Sequence, residues 1–276
     1  MSFLPWRRAI GRVVFTLRRY LHWCGHRAEF STHRTSDKLS HILKTHQSLL
    51  LRPLQNVPMW LQHNKMHNLQ LAIDRLDGLI IEPDRVFSFW YLVGFPSRAR
   101  GFKVGMTLQN GKVKAGYGGG LCQLSNLIYW MALHTPLTVK ERWHHSYDVF
   151  PDVNRKIPFG SGATVAYNYV DLQLLNQTSQ PFQLKLWLSE SHLHGEFRSN
   201  VPCPCEYEII ERNHQIRGPI GGRYTRHNEL YRICRDRITQ EQLDEECIVV
   251  NDALMMYAPL LPPTSFDRTE RRAIES

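Results

Sequence analysis

"AGYGGGLCQLSNLIYWMAL", residues 115 to 133, sets three consecutive glycines directly ahead of a cysteine and continues at once with an apolar pattern of helical period. The spacing predicts a helix from about Leu121 to His134, stopped by Thr135-Pro136, with Cys122 in its first turn. Backbone N–H groups there carry a partial positive charge, which favours thiolate over thiol. Gly118, Gly119 and Gly120 let a substrate or another backbone approach without a Cβ in the way. N–H groups near Gly120 and Cys122 are suited to receive an oxyanion. A nucleophile needs a base, and the base an orienter. His144 and His145 end the next predicted strand, and Asp171 follows on a later one, in "YVDLQLL". The candidate catalytic set is therefore Cys122, His145 and Asp171, with Gly118, Gly119, Gly120, Gln123, Ser125 and His144 as candidate substrate-binding residues. Packing competes for the same residues. A triple-glycine turn lets a helix close on a sheet, and cysteine is a good small buried hydrophobe.

Working outward, a helix is expected over residues 6–24, where Trp6, Ile10, Val13, Val14, Leu17 and Leu21 recur at three- and four-residue spacing. A second is expected from Asp37 to Leu51, and a third from Lys65 to Leu76, where Met66, Leu69, Ala72 and Ile73 share a face. Pro83-Asp84 turns an extended segment. Asn110-Gly111 sits between two candidate strands as a hairpin signal. Leu137 to Trp143 reads as a strand, as do "ATVAYNYVDLQLLN" and "PFQLKLWLSE", with a turn at His194-Gly195. "EYEIIER", "GGRYTRHNELYRI" and "CIVVNDALMMYA" add strands beyond the Cys203-Pro204-Cys205 break. The expected class is α+β: a helical N-terminal half, and the Gly-Cys helix packed on a mainly antiparallel sheet. A thiol on a helix with its partners on strands has the order of papain-like and transglutaminase-like folds. The expected divisions are a basic amphipathic segment (1–36), an α+β domain (37–200), a β-rich extension (201–261) and a disordered tail (262–276).

Composition narrows the function classes. The apolar fraction of 42% and charged fraction of 21% are ordinary for a globular protein, and no apolar run approaches the length of a membrane span. Of the net charge of +9, two thirds falls in residues 1–36, which hold seven arginines against Glu29. A nucleic-acid binder would spread this charge over its fold, so no nucleic-acid partner is expected. An amphipathic helix rich in arginine either rests on an anionic membrane or packs its stripe on the protein's own core. No cleavable export signal is legible. The expected location is the cytoplasm, with peripheral attachment to the inner membrane leaflet where the stripe meets lipid. Cys203, Cys205, Cys234 and Cys247 lack the spacing of a zinc knuckle, and in "HNKMH" His63 and His67 lack the zincin glutamate. No metal and no cofactor are expected.

"FSFWYLVG", "RGF", "NGKVKAGYGGGLCQLSNLIYWMALHTPLTVKERWHHS" and "ATVAYNYVDLQLLNQT" resemble, in this order, the VanW family. The resemblance runs from about Asn68 to Glu196, and "FSFW", "HTPLT" and "GGRY" suggest its short, stand-alone form. It implies association with glycopeptide (vancomycin) resistance and the peptidoglycan cell wall, and it brings no assigned reaction. Its pattern falls on Gly118, Gly119, Gly120, Cys122, Gln123, Ser125, His145 and Asp171. Two positions depart from it: Gly162 replaces a frequent aspartate, and Trp143 replaces a histidine common ahead of the His-Ser pair. The expected function is cysteine-dependent acyl transfer or amide cleavage on a peptidoglycan precursor. The alternative is a non-catalytic accessory module that binds such a precursor or a partner protein.

Overall fold

The computed structural model describes residues 4–51, 58–109, 112–144, 147–149, 157–220 and 223–257. The first part of the chain forms α1 (Leu4–Gly25), β1 (His41–Leu49), α2 (Met59–Leu76), β2 (Leu79–Ile81), β3 (Val86–Ser88) and α3 (Phe89–Val93). Next come β4 (Val104–Gln109), β5 (Lys112–Tyr117), α4 (Leu121–Ala132), β6 (Thr138–Glu141) and β7 (Tyr147–Asp148). The remainder is strand: β8 (Gln173–Leu175), β9 (Phe182–Leu188), β10 (His192–Ser199), β11 (Cys205–Ile220), β12 (Arg223–Asp236) and β13 (Gln242–Met255).

The central sheet has the order β1-β10-β9-β2, antiparallel throughout. On it lies α4, the Gly-Cys helix. A Cβ on Gly195 in β10 would meet Met131 Cε at 2.5 Å and Leu127 Cδ2 at 2.6 Å, so the missing side chain is what lets the helix close on the strand. Leu124, Leu127, Ile128 and Met131 of α4 join Leu69, Ala72, Ile73 and Leu76 of α2 in one core with Phe182, Leu184 and Phe197 of the sheet. On β9, Gln183 and Lys185 are buried as well, because Gln183 bonds the backbone of Asp37 and Leu39 and Lys185 pairs with Asp77. A smaller sheet, β3-β8-β6, extends the core past α3. A hairpin, β4-β5, packs beside α2. The C-terminal ribbon β11-β12-β13 is joined by β7 in parallel.

This is the mixed α+β class, with antiparallel sheets and the Gly-Cys helix packed on one; the four described α-helices all fall in the first half, interleaved there with strands β1 to β5. Residues 37–51, expected as helix, hold β1, which pairs with β10 from His41 to Leu49 with one register shift between Ile42 and Lys44. Of the residues that it turns inward, Leu43 is apolar but Lys44, His46 and Ser48 are polar, so no apolar alternation marks the strand. The third helix starts at Met59, earlier than Lys65. Asn110-Gly111 lies outside the described residues, but Gln109 pairs with Lys112 on either side of it, as a two-residue hairpin requires. His194-Gly195 is not a turn; the chain reverses at Ser189–Ser191, and Gly195 sits in mid-strand for the packing reason above. Of "ATVAYNYVDLQLLN" only Gln173–Leu175 is strand, and residues 163–171 cross irregularly, tied by an Ala166–Val170 bridge. The tail 262–276 lies outside the described residues.

Helix α1 forms where expected. It docks on the body through Arg19, which pairs with Glu141 at 2.7 Å, through Tyr20, whose hydroxyl bonds that of Tyr167, and through buried Trp23.

Candidate functional site

The three glycines each meet a separate demand. Gly118 and Gly120 have φ of +72° and +98°, a region that side chains rarely enter. Gly119 sits where a Cβ would come 2.1 Å from the carbonyl carbon of Gly105, so the turn and β4 touch backbone to backbone. A Cβ on Gly120 would strike the buried stem of Lys65, whose ammonium bonds the Leu50 carbonyl. The Gly118 and Gly119 N–H groups donate to Lys103 and Gly116 at 3.2 Å each. The N–H groups of Leu121 and Cys122 belong to the first turn of α4, where helix geometry supplies no acceptor. The triple glycine therefore anchors the hairpin and α2 first, and only its helix end remains suited to an oxyanion.

Four side chains of α4 then grip flanking backbone. Gln123 donates to Ser48 Oγ at 2.6 Å and to the Leu49 carbonyl at 2.9 Å, tying the helix to β1. Ser125 donates to the Ala163 carbonyl at 2.6 Å, and Asn126 accepts from the Ala163 N–H at 2.7 Å. The Cys122 thiol donates to the Val165 carbonyl at 3.7 Å. Gly162 belongs to this grip, since a Cβ there would come 2.8 Å from Asn126 Oδ1.

Cys122 is half-buried, and its sulfur packs against the core. Burial pushes the thiol above its ordinary range, outweighing the backbone hydrogen bonds that act the other way. Burial thus opposes the lowering expected from the helix start.

His145 lies outside the described residues, as does Ser146. Its neighbour His144 is exposed, with Nδ1 3.4 Å from Arg142 Nη1. Arg142 was not singled out in the sequence. It donates to the carbonyls of Gly160 and Gly162 and lies over the Tyr129 ring. Thr164 donates to the Trp143 carbonyl at 2.7 Å, so the strip leading into His144 and His145 runs beside the strip that Cys122 grips.

Asp171 is fully buried in a polar knot of its own. Its carboxylate accepts from Ser88 Oγ at 2.5 Å, Trp90 N at 3.0 Å, Leu172 N at 2.9 Å and Gln173 Nε2 at 3.2 Å. Burial raises its pKa to about 6 despite the hydrogen bonds from Ser88 and Trp90. These contacts fix the start of α3 and the join between β3 and β8. Glu141, also missed in the sequence, links this knot to the histidine strip. It accepts from the Asp171 N–H at 3.1 Å, from the Trp143 indole at 3.1 Å and from Arg19 at 2.7 Å. A signal for both missed residues was present in "ERWHH", an acid at the end of a strand and an arginine directly after it, ahead of two histidines.

The remaining candidates fall elsewhere. His67 bonds the Gly101 carbonyl at 2.9 Å, His63 is exposed, and His194 stacks flat on Trp187 at 5.2 Å. Cys205 shares a hydrogen bond with Cys234 beside Cys203, and burial with that neighbour pushes its thiol up to about 11. Among the described residues no group of three or more His, Cys, Asp or Glu is arranged to hold a metal ion. Two concavities of about 340 and 370 Å³ lie where α1 meets the body, and neither is lined by Cys122.

Comparison with known proteins agrees with the motif. Residues 64–198 match the family described as VanW like protein. The chain is 34% identical over 212 residues to the vancomycin B-type resistance protein VanW of Enterococcus faecalis, covering 76% of this chain and 74% of that relative. It is 29% identical over 122 residues to the uncharacterized protein YoaR of Bacillus subtilis, covering 44% of this chain and 39% of that one. No solved structure matches the chain.

Proposed function

This chain belongs to the VanW family, and from that premise we propose that it serves glycopeptide resistance as a cysteine-dependent acyl-transfer or amide-cleaving enzyme acting on a peptidoglycan precursor. Cys122 is the nucleophile and His145 the base in this reading, with the exposed His144 beside it as a substrate contact. The observation that carries it is the pairing of two strips of chain. The acceptor of the thiol, Val165, follows Thr164, whose N–H donates to Trp143, and the two histidines come directly after Trp143.

The raised pKa sets the chemistry. A thiol that keeps its proton at neutral pH must lose it as it attacks, so the base acts in the same step. The sulfur leaves the Val165 carbonyl and bonds to the carbonyl carbon of an amide while the imidazole takes the thiol proton. The imidazolium then protonates the departing amine, leaving a thioester on Cys122. Water or a second amine then attacks that thioester while the imidazole takes its proton. The C–S bond breaks to release the acyl group, and the departing sulfur takes the proton back as the Cys122 thiol. The first-turn N–H groups of α4 suit the oxyanion of both steps. Gln123, Ser125 and the glycines hold the backbone around Cys122 in place rather than the reacting atoms. Asp171, committed to Ser88, Trp90, Leu172 and Gln173, supports the scaffold, so the reading rests on a cysteine–histidine pair.

A second reading has its own support. Cys122, Gln123 and Ser125 all direct their hydrogen bonds to the protein itself. That is what a non-catalytic module binding a wall precursor or a partner protein would need. Replacing Cys122 by Ser separates the two. The enzyme loses its contribution to glycopeptide resistance while the purified variant unfolds near the wild-type temperature. A variant that folds and confers full resistance ends the catalytic reading and leaves the binding module.

A further inference from the structure

Helix α1 docks with one face and leaves its apolar face outside. The contacts to the body come from Arg19, Tyr20 and Trp23, with the Thr16 carbonyl accepting from Asn168. Ile10, Val13, Val14, Leu17 and Leu21, spaced three and four residues apart, are 52–66% exposed. At 3.6 residues per turn these five share a stripe about 100° wide, turned away from the docking residues. A stripe of this size on a docked helix is a surface for something.

Charge identifies the occupant. The helix holds five arginines and no acidic residue. Arg19 is neutralised by Glu141 within the fold, whereas Arg12 and Arg18 are exposed. Helical spacing sets position 18 on the border of the stripe, and position 7, also arginine, on the same border. A second copy of this chain would bring equal positive charge to the contact. A bilayer with anionic headgroups supplies both halves of the complement, acyl chains for the stripe and phosphates for its border. The helix is not long and apolar enough to cross a membrane, so this contact lies along the surface.

We propose that α1 is a membrane-surface anchor whose exposed stripe enters the headgroup boundary of an anionic bilayer while Arg19, Tyr20 and Trp23 couple it to the body. The test is sedimentation of the full chain with vesicles of phosphatidylcholine alone and of phosphatidylcholine mixed with phosphatidylglycerol. Wild-type protein should pellet with the mixed vesicles and less as salt rises. Val14→Asp combined with Leu17→Asp, both outside the docking contacts, should lower the affinity roughly tenfold or more. Arg18→Gln, which leaves the stripe intact, should weaken binding and flatten its salt dependence. Equal pelleting with both vesicle types, or binding unchanged in the aspartate variant, overturns the proposal. So does a wild-type dimer that Leu17→Asp dissociates without vesicles, which would make a second copy the occupant. Vesicle binding is read without any substrate, so its failure is distinct from failure of the cysteine chemistry.

Discussion

Cys122, half-buried, and Asp171, fully buried, both have raised pKa values, and their surroundings separate them. The thiol makes one long hydrogen bond to a carbonyl at 3.7 Å from the first turn of a helix. The carboxylate receives four, two on each oxygen, from residues that join α3, β3 and β8. A group with one weak partner can leave it to react, whereas a group holding four donors cannot move without stranding them. Burial and a perturbed pKa are common to reactive and scaffold residues; the number of partners that must be abandoned tells them apart.

Removing each group should break the pair apart most visibly. Asp171→Ala strands the Ser88 hydroxyl and the Trp90 and Leu172 N–H groups in the core. It should cost roughly 3–5 kcal/mol, read from denaturant midpoints. A loss under about 1 kcal/mol would mean that those donors find other partners and that the knot is not structural.

The titration of Asp171 gives the next effect. Its carboxyl has an ordinary pKa of 3.8 and a folded value of about 6, so the folded chain holds the proton more tightly. The stabilisation is complete below the unfolded value and is lost as pH rises through about 6, amounting to roughly 2–3 kcal/mol. Stability measured from pH 4 to pH 7 should fall over that window, and Asp171→Asn should flatten the curve. A wild-type profile that is level there would place the carboxyl in the ordinary range.

Cys122 should show the smallest cost. Cys122→Ala loses one weak hydrogen bond and a little packing, for a stability change of about 1 kcal/mol. Alkylation of the wild-type thiol by iodoacetamide, with that variant as the blank, should rise only above its ordinary pKa of 9.0. A midpoint near neutrality would instead mean that the helix end outweighs burial.

What the sequence revealed followed from how each segment is buried. The start of α4, the β4-β5 hairpin and the ribbon strands carry local signals, namely glycines, an Asn-Gly turn and apolar alternation, and they form where expected. β1 escaped because only Leu43 of its inward residues is apolar, while His46 and Ser48 meet Trp130 and Gln123 of α4. Gly195 read as a turn because a glycine that makes room for Leu127 and Met131 looks, in one dimension, like a glycine that bends the chain. At the site, the position of Cys122 on the first turn was legible from spacing alone. The carbonyl of Val165, the grip of Asn126 and the bridging by Glu141 and Arg142 depend on strips brought together from distant parts of the chain.

The ribbon's outermost strand has a consequence for solubility. β11 runs for 16 residues at the end of its sheet, with one side of its backbone unpaired by any described strand. Such an edge invites a neighbouring molecule to add a strand and continue into a fibre. Glu206, Glu208, Glu211, Arg212 and Arg217 line it with charge, and register breaks after Arg212 and Arg217 bend it out of plane. A copy arriving edge to edge would have to desolvate these charged side chains against a crooked template. The ribbon can thus be long without seeding its own aggregation.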